Sequence, residues 1–499
     1  MKLKKWIALC LCVCMVLLNL AAVAETTQAT PPEPPAGMGT PPQGGTPPEK
    51  PNGEMGNPPE RPDGEMGTPP DGAPMGNPPQ GGMGGMSAQP ESYSAVKTIS
   101  EDASISGETI ESTGADKNAL LVTGGNVTVT DSKLVRESAD STGGDSASFY
   151  GVGAAALVTG GTLTIETAEI STDAEGGAGV FACGSGVATV KNTVISTKKG
   201  TSGGIHVAGG GTLYAENLTV TTEGASSAAI RSDRGGGTMV VNGGSYTASG
   251  FGSPAVYVTA DISITDAALT ATGSEALCLE GKNSVALTNC TLSGGLPDLE
   301  QNDNTWTVIL YQSMSGDSEV GKGTFTMTGG TLISNNGGLF YTTNTDSEFT
   351  LRNVTLQASA DSEYLLRCTG NANGRGWGST GSNGANCVFT AAEQQMSGRV
   401  LWDSVSNLTL SLTEGTSFTG AILDDESCAG EGGSGACALT IDETSEWIVT
   451  ENSALTTLTC KSRIADAAGR TVTVTDPSGS VLVSGESDLT ITVSEYIAE

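Results

Sequence analysis

The feature that most constrains this chain is a short pattern that recurs through residues 127–356. Apolar residues alternate, a turn-forming residue follows, and an apolar residue returns three positions later. The turn positions are Asp131, Thr167, Asn192, Asn217, Gly243, Asp266, Asn289, Gly329 and Asn353, at spacings of 36, 25, 25, 26, 23, 23, 40 and 24 residues. Period-2 alternation, as in Leu163/Ile165, Ile262/Ile264 and Phe349/Leu351, puts one side of a strand into a core and leaves Thr, Ser and Lys in water. The runs are only about three to five residues long and carry no helical period. A self-similar unit of roughly 20–29 residues built from short strands predicts a solenoid, in which stacked coils share a core that no single coil can close. Asn, Asp and Gly suit the turn because each tolerates the left-handed backbone conformation of a sharp bend. Stacked Asn side chains there can also bond to one another from coil to coil.

The Asn turns, the Gly-Gly pairs that punctuate the runs (Gly124-Gly125, Gly160-Gly161, Gly243-Gly244 and Gly329-Gly330) and the coil length resemble the right-handed parallel β-helix of the pectin-lyase-like superfamily. The resemblance covers residues 93–465 and implies a fold rather than an activity. Residues 445–460, where Trp447 is followed by a Ser-apolar-x-x-Leu run, further resemble the last coils of autotransporter passenger domains.

In chain order, residues 1–24 read as a secretory signal peptide: Lys2, Lys4 and Lys5 precede an apolar run that ends in Ala22-Val23-Ala24. The competing reading is an uncleaved membrane anchor. Cleavage leaves no transmembrane segment in the mature chain and directs it outside the cell. Residues 25–92 form a Pro/Gly/Met-rich segment with a loose unit, as in Gly53-Glu-Met-Gly-Asn-Pro-Pro59. With few aliphatic residues it is expected to be a disordered spacer, spanning on the order of 200 Å at about 3.1 Å per residue. The solenoid is assigned to 93–465, with 98–107 as its N-terminal cap, and 466–499 to a small C-terminal β cap. The two long spacings mark insertions, one within 136–150 and one combining 297–304 with 313–322. Insertions of this kind emerge on a lateral face, where binding residues concentrate.

The sequence carries 23 basic against 55 acidic residues, a net charge of −32 that becomes −35 without the three leader lysines. Nucleic acid is excluded as a partner, because its binding rests on basic residues that neutralise phosphates. Eight cysteines lie beyond the leader. Cys368 with Cys387 and Cys428 with Cys437 are candidate disulfides at the base of Gly-rich loops; the alternative is that they are small core residues. His206 is the only histidine and no Cys-x-x-Cys occurs, which argues against zinc.

Enzymes share the fold that the resemblance implies. A lyase would need an Arg or Lys base beside calcium ligands, and a hydrolase two carboxylates on one face. The local cluster with that chemistry is Arg231-Ser232-Asp233-Arg234, with His206 one repeat before Arg231, so that the two can stack. Both also fit plain outward positions on strands. The Asn-Thr-Asp, Asp-Asp, Gly-His and Arg-Ile-Lys signatures expected of polygalacturonases are not found as a set, and the triplet Asp424-Asp425-Glu426 has no basic neighbour in sequence. For binding, Arg375 and Trp377 stand in a Gly-rich loop between Cys368 and Cys387, where Trp377 can stack on a sugar or fold back onto the solenoid. Trp306, Trp402 and Trp447 read as packing. The expectation is a secreted or cell-surface, adhesin-like, non-enzymatic β-helix that binds glycans or neighbouring cell surfaces. The alternative is a polysaccharide lyase or glycoside hydrolase working on a lateral face. No cofactor is called for, calcium remaining open through the lyase reading.

Overall fold

The computed structural model describes residues 89–313 and 315–498. The signal-peptide assignment and residues 25–88 of the spacer lie outside the described residues. What is described is an all-β parallel solenoid. Many coils contribute three strands, for example Val180–Cys183, Val187–Lys191 and Val194–Thr197, and the next coil repeats them 25 residues later: Val180 pairs with Ile205, Ala188 with Leu213 and Ile195 with Val220; in Gly211–Thr222 and Gly237–Ala248 the second and third run on as one strand, and from Asn386 the coils contribute two strands each. The first strands of the coils stack into a sheet of 15 strands, here called the first face. The second and third strands build the other two faces.

The bend between second and third strands is the turn read from the sequence. Asp131, Thr167, Asn192, Asn217, Asp266, Asn289 and Asn353 all have φ between 47° and 55°, and Gly243 and Gly329 have φ of 66° and 63°. Asn217 Nδ2 donates to Asn192 Oδ1 at 2.9 Å, so side chains do bond along this corner. Glu393 and Glu414 continue the column at φ 51° and 57°, held by Arg352, which donates to Glu393 at 2.7 Å and to Glu414 at 2.6 Å. A second ladder, of serines, supports another corner: the amides of Ser202 and Ser227 donate to the hydroxyls of Ser227 and Ser253 at 2.9 and 2.8 Å.

The inward side chains stack in register. On the second face one column runs Leu163, Ala188, Leu213, Met239, Ile262, Val285, Phe325, Phe349, Phe389, and every member is buried. The three phenylalanines of this column lie 6.0 and 5.7 Å apart, centre to centre, with Phe340 of the first face 5.6 Å from Phe349. Fully burying such a ring is worth about 1.5–3 kcal/mol, and the stack repeats that gain coil after coil.

The ends differ from the expectation in one respect. Residues 98–107 are no separate cap, because Ala95–Ile99 and Ala103–Ser106 are strands of the first coil, paired with Asn118–Val122 and Asn126–Thr130. At the other end Thr473–Thr475 and Val481–Val483 form an antiparallel hairpin, and Thr490–Ala498 runs parallel to Ser453–Cys460. This small β cap covers strand edges that would otherwise be open. Among the described residues no helix is long and apolar enough to cross a membrane.

Candidate functional site

On the second and third faces strands alternate buried and exposed, whereas several strands of the first face are buried on both sides, as in Val180–Cys183, Ile205–Ala208 and Leu277–Glu280. The outward column of this face, in register, runs Phe181, His206, Arg231, Tyr257, Cys278, Ile309, Tyr341, Arg367. His206 and Arg231 therefore do stack on adjacent coils. Both insertions return to cover this column. The first forms a short helix, Gly144–Tyr150, ended by Gly151 in the left-handed conformation at φ 74°. The second brings Asp317 over the same coils.

Arg231 is the junction. Its Nε donates to Asp233 Oδ2 at 2.7 Å, Nη1 to the carbonyl of Ser226 at 2.6 Å, and Nη2 to Ser148 of the inserted helix at 3.0 Å. Arg234 reaches Asp317 at 2.7 Å and lies 4.2 Å over the ring of Phe149. His206 is fully buried beneath Phe181, its ring centre 4.1 Å away. Its Nε2 stands 2.9 Å from Asp233 Oδ2 without the linear geometry of a hydrogen bond, and Nδ1 has no partner. Burial pushes the imidazole down to about 4, against the pull of Asp233, so it is neutral at physiological pH. Burial raises the Asp233 carboxyl, but Arg231 and His206 more than offset this and hold it below the ordinary range. The donors of Arg231 are thus spent inside the protein, and the first consequence is to fasten the helix onto the solenoid.

Beside it opens a cavity of about 400 Å³, with Asp145, Ser148, Phe149, Asp233, Tyr257 and Asp317 in its wall. A second cavity of about 170 Å³ shares Gly252, Pro254 and Tyr257 with the first and continues toward Leu296, Tyr311 and Arg375. Together they make a groove along the outer side of the first face. Behind it sits Glu280, 1% exposed, which accepts from Tyr257 at 3.0 Å, Tyr311 at 3.1 Å and Ser313. Burial raises its carboxyl against those three hydroxyls. Neither Glu280 nor Tyr257 was singled out from the sequence. Strand register carries the His206–Arg231 column on to Tyr257 and then to Cys278, the second residue before Glu280, at spacings of 26 and 21 residues that the 25-residue step between His206 and Arg231 does not reproduce.

Trp377 folds back. It is half-buried, with its ring centre 4.4 Å from Tyr311 and 6.1 Å from Trp306. Arg375 is exposed, donates to Asn302 at 2.5 Å and rests over both tryptophans at 5.9 and 5.5 Å. Trp306, Trp402 and Trp447 are buried. Among the described residues no disulfide is present. All eight described cysteines are buried thiols, because Cys368, Cys387 and Cys437 point into the core while Cys428 lies in a short outer turn, Glu426–Cys428.

The acidic triplet has the basic companion that sequence proximity did not offer: Arg367 Nη1 lies 2.9 Å from Asp425 Oδ2. Glu426 accepts from the amide and hydroxyl of Ser404 at 2.7 and 2.6 Å. Burial and the neighbouring Glu426 push Asp424 up to about 6. Among the described residues no group of three or more His, Cys, Asp or Glu is arranged to hold a metal ion. Compared with protein-family models, with curated proteins and with solved structures, the chain gives no match.

Proposed function

We propose that this is a secreted or cell-surface, adhesin-like solenoid that holds a glycan in the groove of its first face without turning it over. The observation that carries the reading is the groove itself: two adjoining cavities, built by the two insertions, with aromatic rings and hydrogen-bonding groups interleaved in one wall. Sugar recognition needs that mixture, since an apolar face stacks on a ring while hydroxyls and carboxylates take its OH groups. The leader and the Pro-rich segment support export and display. Resemblance to the right-handed β-helix of the pectin-lyase-like superfamily supports a polysaccharide ligand at the level of fold only. A lyase mechanism is disfavoured because the Arg that would act as base is held by three partners.

The test is retention of the purified protein on a panel of plant, microbial and host polysaccharides, with product release measured alongside. Retention without products, weakened about tenfold or more by Tyr257→Ala, is expected. No retention on any polymer overturns the reading.

A second reading, a glycoside hydrolase, is favoured by one specific observation. Asp233 follows Arg231 by two residues and Glu280 follows Cys278 by two, so both stand outward two coils apart, with opposite shifts of their carboxyls. Two strand spacings are roughly 10 Å, near the upper end of the separation that an inverting pair uses, with Glu280 as acid and Asp233 as base. Products abolished by Glu280→Gln would replace the first reading with this one.

A further inference from the structure

We propose that a monatomic anion, chloride in physiological salt, binds between Trp306, Tyr341 and Arg375 and fastens the Gly-rich loop that carries Arg375 and Trp377. This site does not depend on the glycan-binding reading. It is a small cavity on the outer side of the first face, with Asn302, Asp303, Asn304, Trp306, Tyr341 and Arg375 in its wall. Its volume is about 10 Å³, close to what one water-sized sphere occupies.

What marks the cavity is the set of hydrogen-bonding groups left over in its wall. Trp306 and Tyr341 are 2% and 1% exposed, yet the indole Nε1 and the phenol oxygen have no partner. The amide nitrogens of Asn302 and Asn304 are buried and unpartnered in the same wall. Each such group costs free energy when it stays unpaired, and four of them around one cavity of this size point to an occupant. Their sense defines its chemistry. The indole can only donate. Asn302 presents its nitrogen because its Oδ1 already accepts from Arg375 Nε at 2.5 Å. The guanidinium of Arg375 is also a donor only. Among the described residues it makes no ion pair with a carboxylate, whereas Arg231, Arg234, Arg352, Arg367 and Arg399 all do. The carboxylate in the wall, Asp303, is exposed and accepts from the amide of Ala372 at 2.7 Å. A water molecule has two lone pairs, and Trp306, Asn302 and Arg375 already offer three donors. A halide accepts from all three and from the Tyr341 hydroxyl, and its charge answers the guanidinium. Room for a single atom excludes a carboxylate or a phosphate. Because Arg375 also lines the smaller groove cavity, the ion would set where that cation stands.

The experiment melts the full protein in sodium chloride and in sodium gluconate at equal ionic strength, and reads a bromide-soaked crystal by anomalous scattering. A bromide peak is expected in this cavity, in contact with Trp306 Nε1. The melting midpoint should rise with chloride beyond the gluconate series, as for any ligand that binds the folded state alone. Arg375→Gln, at an exposed position, should raise the half-saturating chloride concentration about tenfold, the worth of a hydrogen bond to a charged group. Tyr341→Phe should weaken chloride to a similar degree. If that hydroxyl were merely unpaired, the same change would leave the melts unaltered or raise them equally in both salts. A water in the cavity, with melts that do not distinguish the two salts, overturns the inference. So does a bromide peak without a chloride-specific shift, which would be an adventitious ion only. Should Tyr341→Phe fail to fold, Arg375→Gln and the bromide map still decide.

Discussion

The second and third faces and the first face are made of the same short parallel strands, yet they use their outer sides differently. Strands such as Thr162–Glu166 and Asp261–Thr265 alternate strictly, one side in the core and one in water. Several strands in the middle of the first face bury both sides, because a helix and loops from distant parts of the chain lie over them. A solenoid core is therefore a local affair, repeated every coil, while its site is assembled by non-local cover. Mutations can separate the two, since damage to the shared core should be felt as global stability and damage to the covered face as pH dependence or ligand binding.

The largest effect is expected in the core. Phe349 is fully buried between Phe325 and Phe389, and Phe349→Ala removes a ring from the middle of a continuous stack. A loss of about 3–5 kcal/mol is expected, read as a lowered denaturation midpoint. A smaller loss with a lower denaturant dependence would show that coils melt in independent groups.

On the covered face the signature is a pH dependence. His206 is held at about 4 in the fold against about 6.5 when free, so between these values the unfolded chain binds the additional proton. Its contribution is fully present above pH 6.5 and is lost as pH falls toward 4, an amount on the order of 3 kcal/mol. The groups facing it are Phe181, Arg231 and Asp233. Glu280 and Asp424, whose carboxyls are raised, act with the opposite sign in the same range. The check is therefore the difference between the wild type and His206→Phe across pH 4–7. If the two profiles run parallel, His206 is not the neutral buried group described here.

How much of this was legible follows from the same contrast. The turn column was read residue by residue because Asn, Asp and Gly announce a left-handed bend, and all nine positions adopt it. It was read only as far as Asn353, since Glu393 and Glu414 carry no such signal and rely on Arg352 from a neighbouring coil. Inward columns were legible through alternation. The site was legible only as a stacked pair, His206 and Arg231. Ser148 and Asp317, which complete it, are each 83 residues from the arginine they meet, and no pattern within a repeat points to them. The cysteines illustrate the opposite failure: spacing suggested loop staples, but an inward position on a stacked strand uses Cys368 and Cys387 as small core residues.

The smallest effects lie at the corner and sharpen what the turn column requires. Thr167 holds φ 55° on an exposed, β-branched residue, a conformation such side chains rarely adopt. Thr167→Asn should stabilise by about 1 kcal/mol. Gly243 and Gly329 differ although both sit in the same column with similar φ. A Cβ at Gly243 would meet nothing within 4 Å, whereas one at Gly329 would come within 2.6 Å of Asn289 Oδ1. Gly243→Asn is expected to be neutral or to gain at most about 0.5 kcal/mol, chiefly by restricting the unfolded chain. Gly329→Asn must displace the Asn289 side chain and should lose stability. Opposite signs in thermal melts of the two variants would show that coil-to-coil packing along the corner, and not the left-handed backbone alone, selects glycine at Gly329; equal shifts would return the explanation to the backbone.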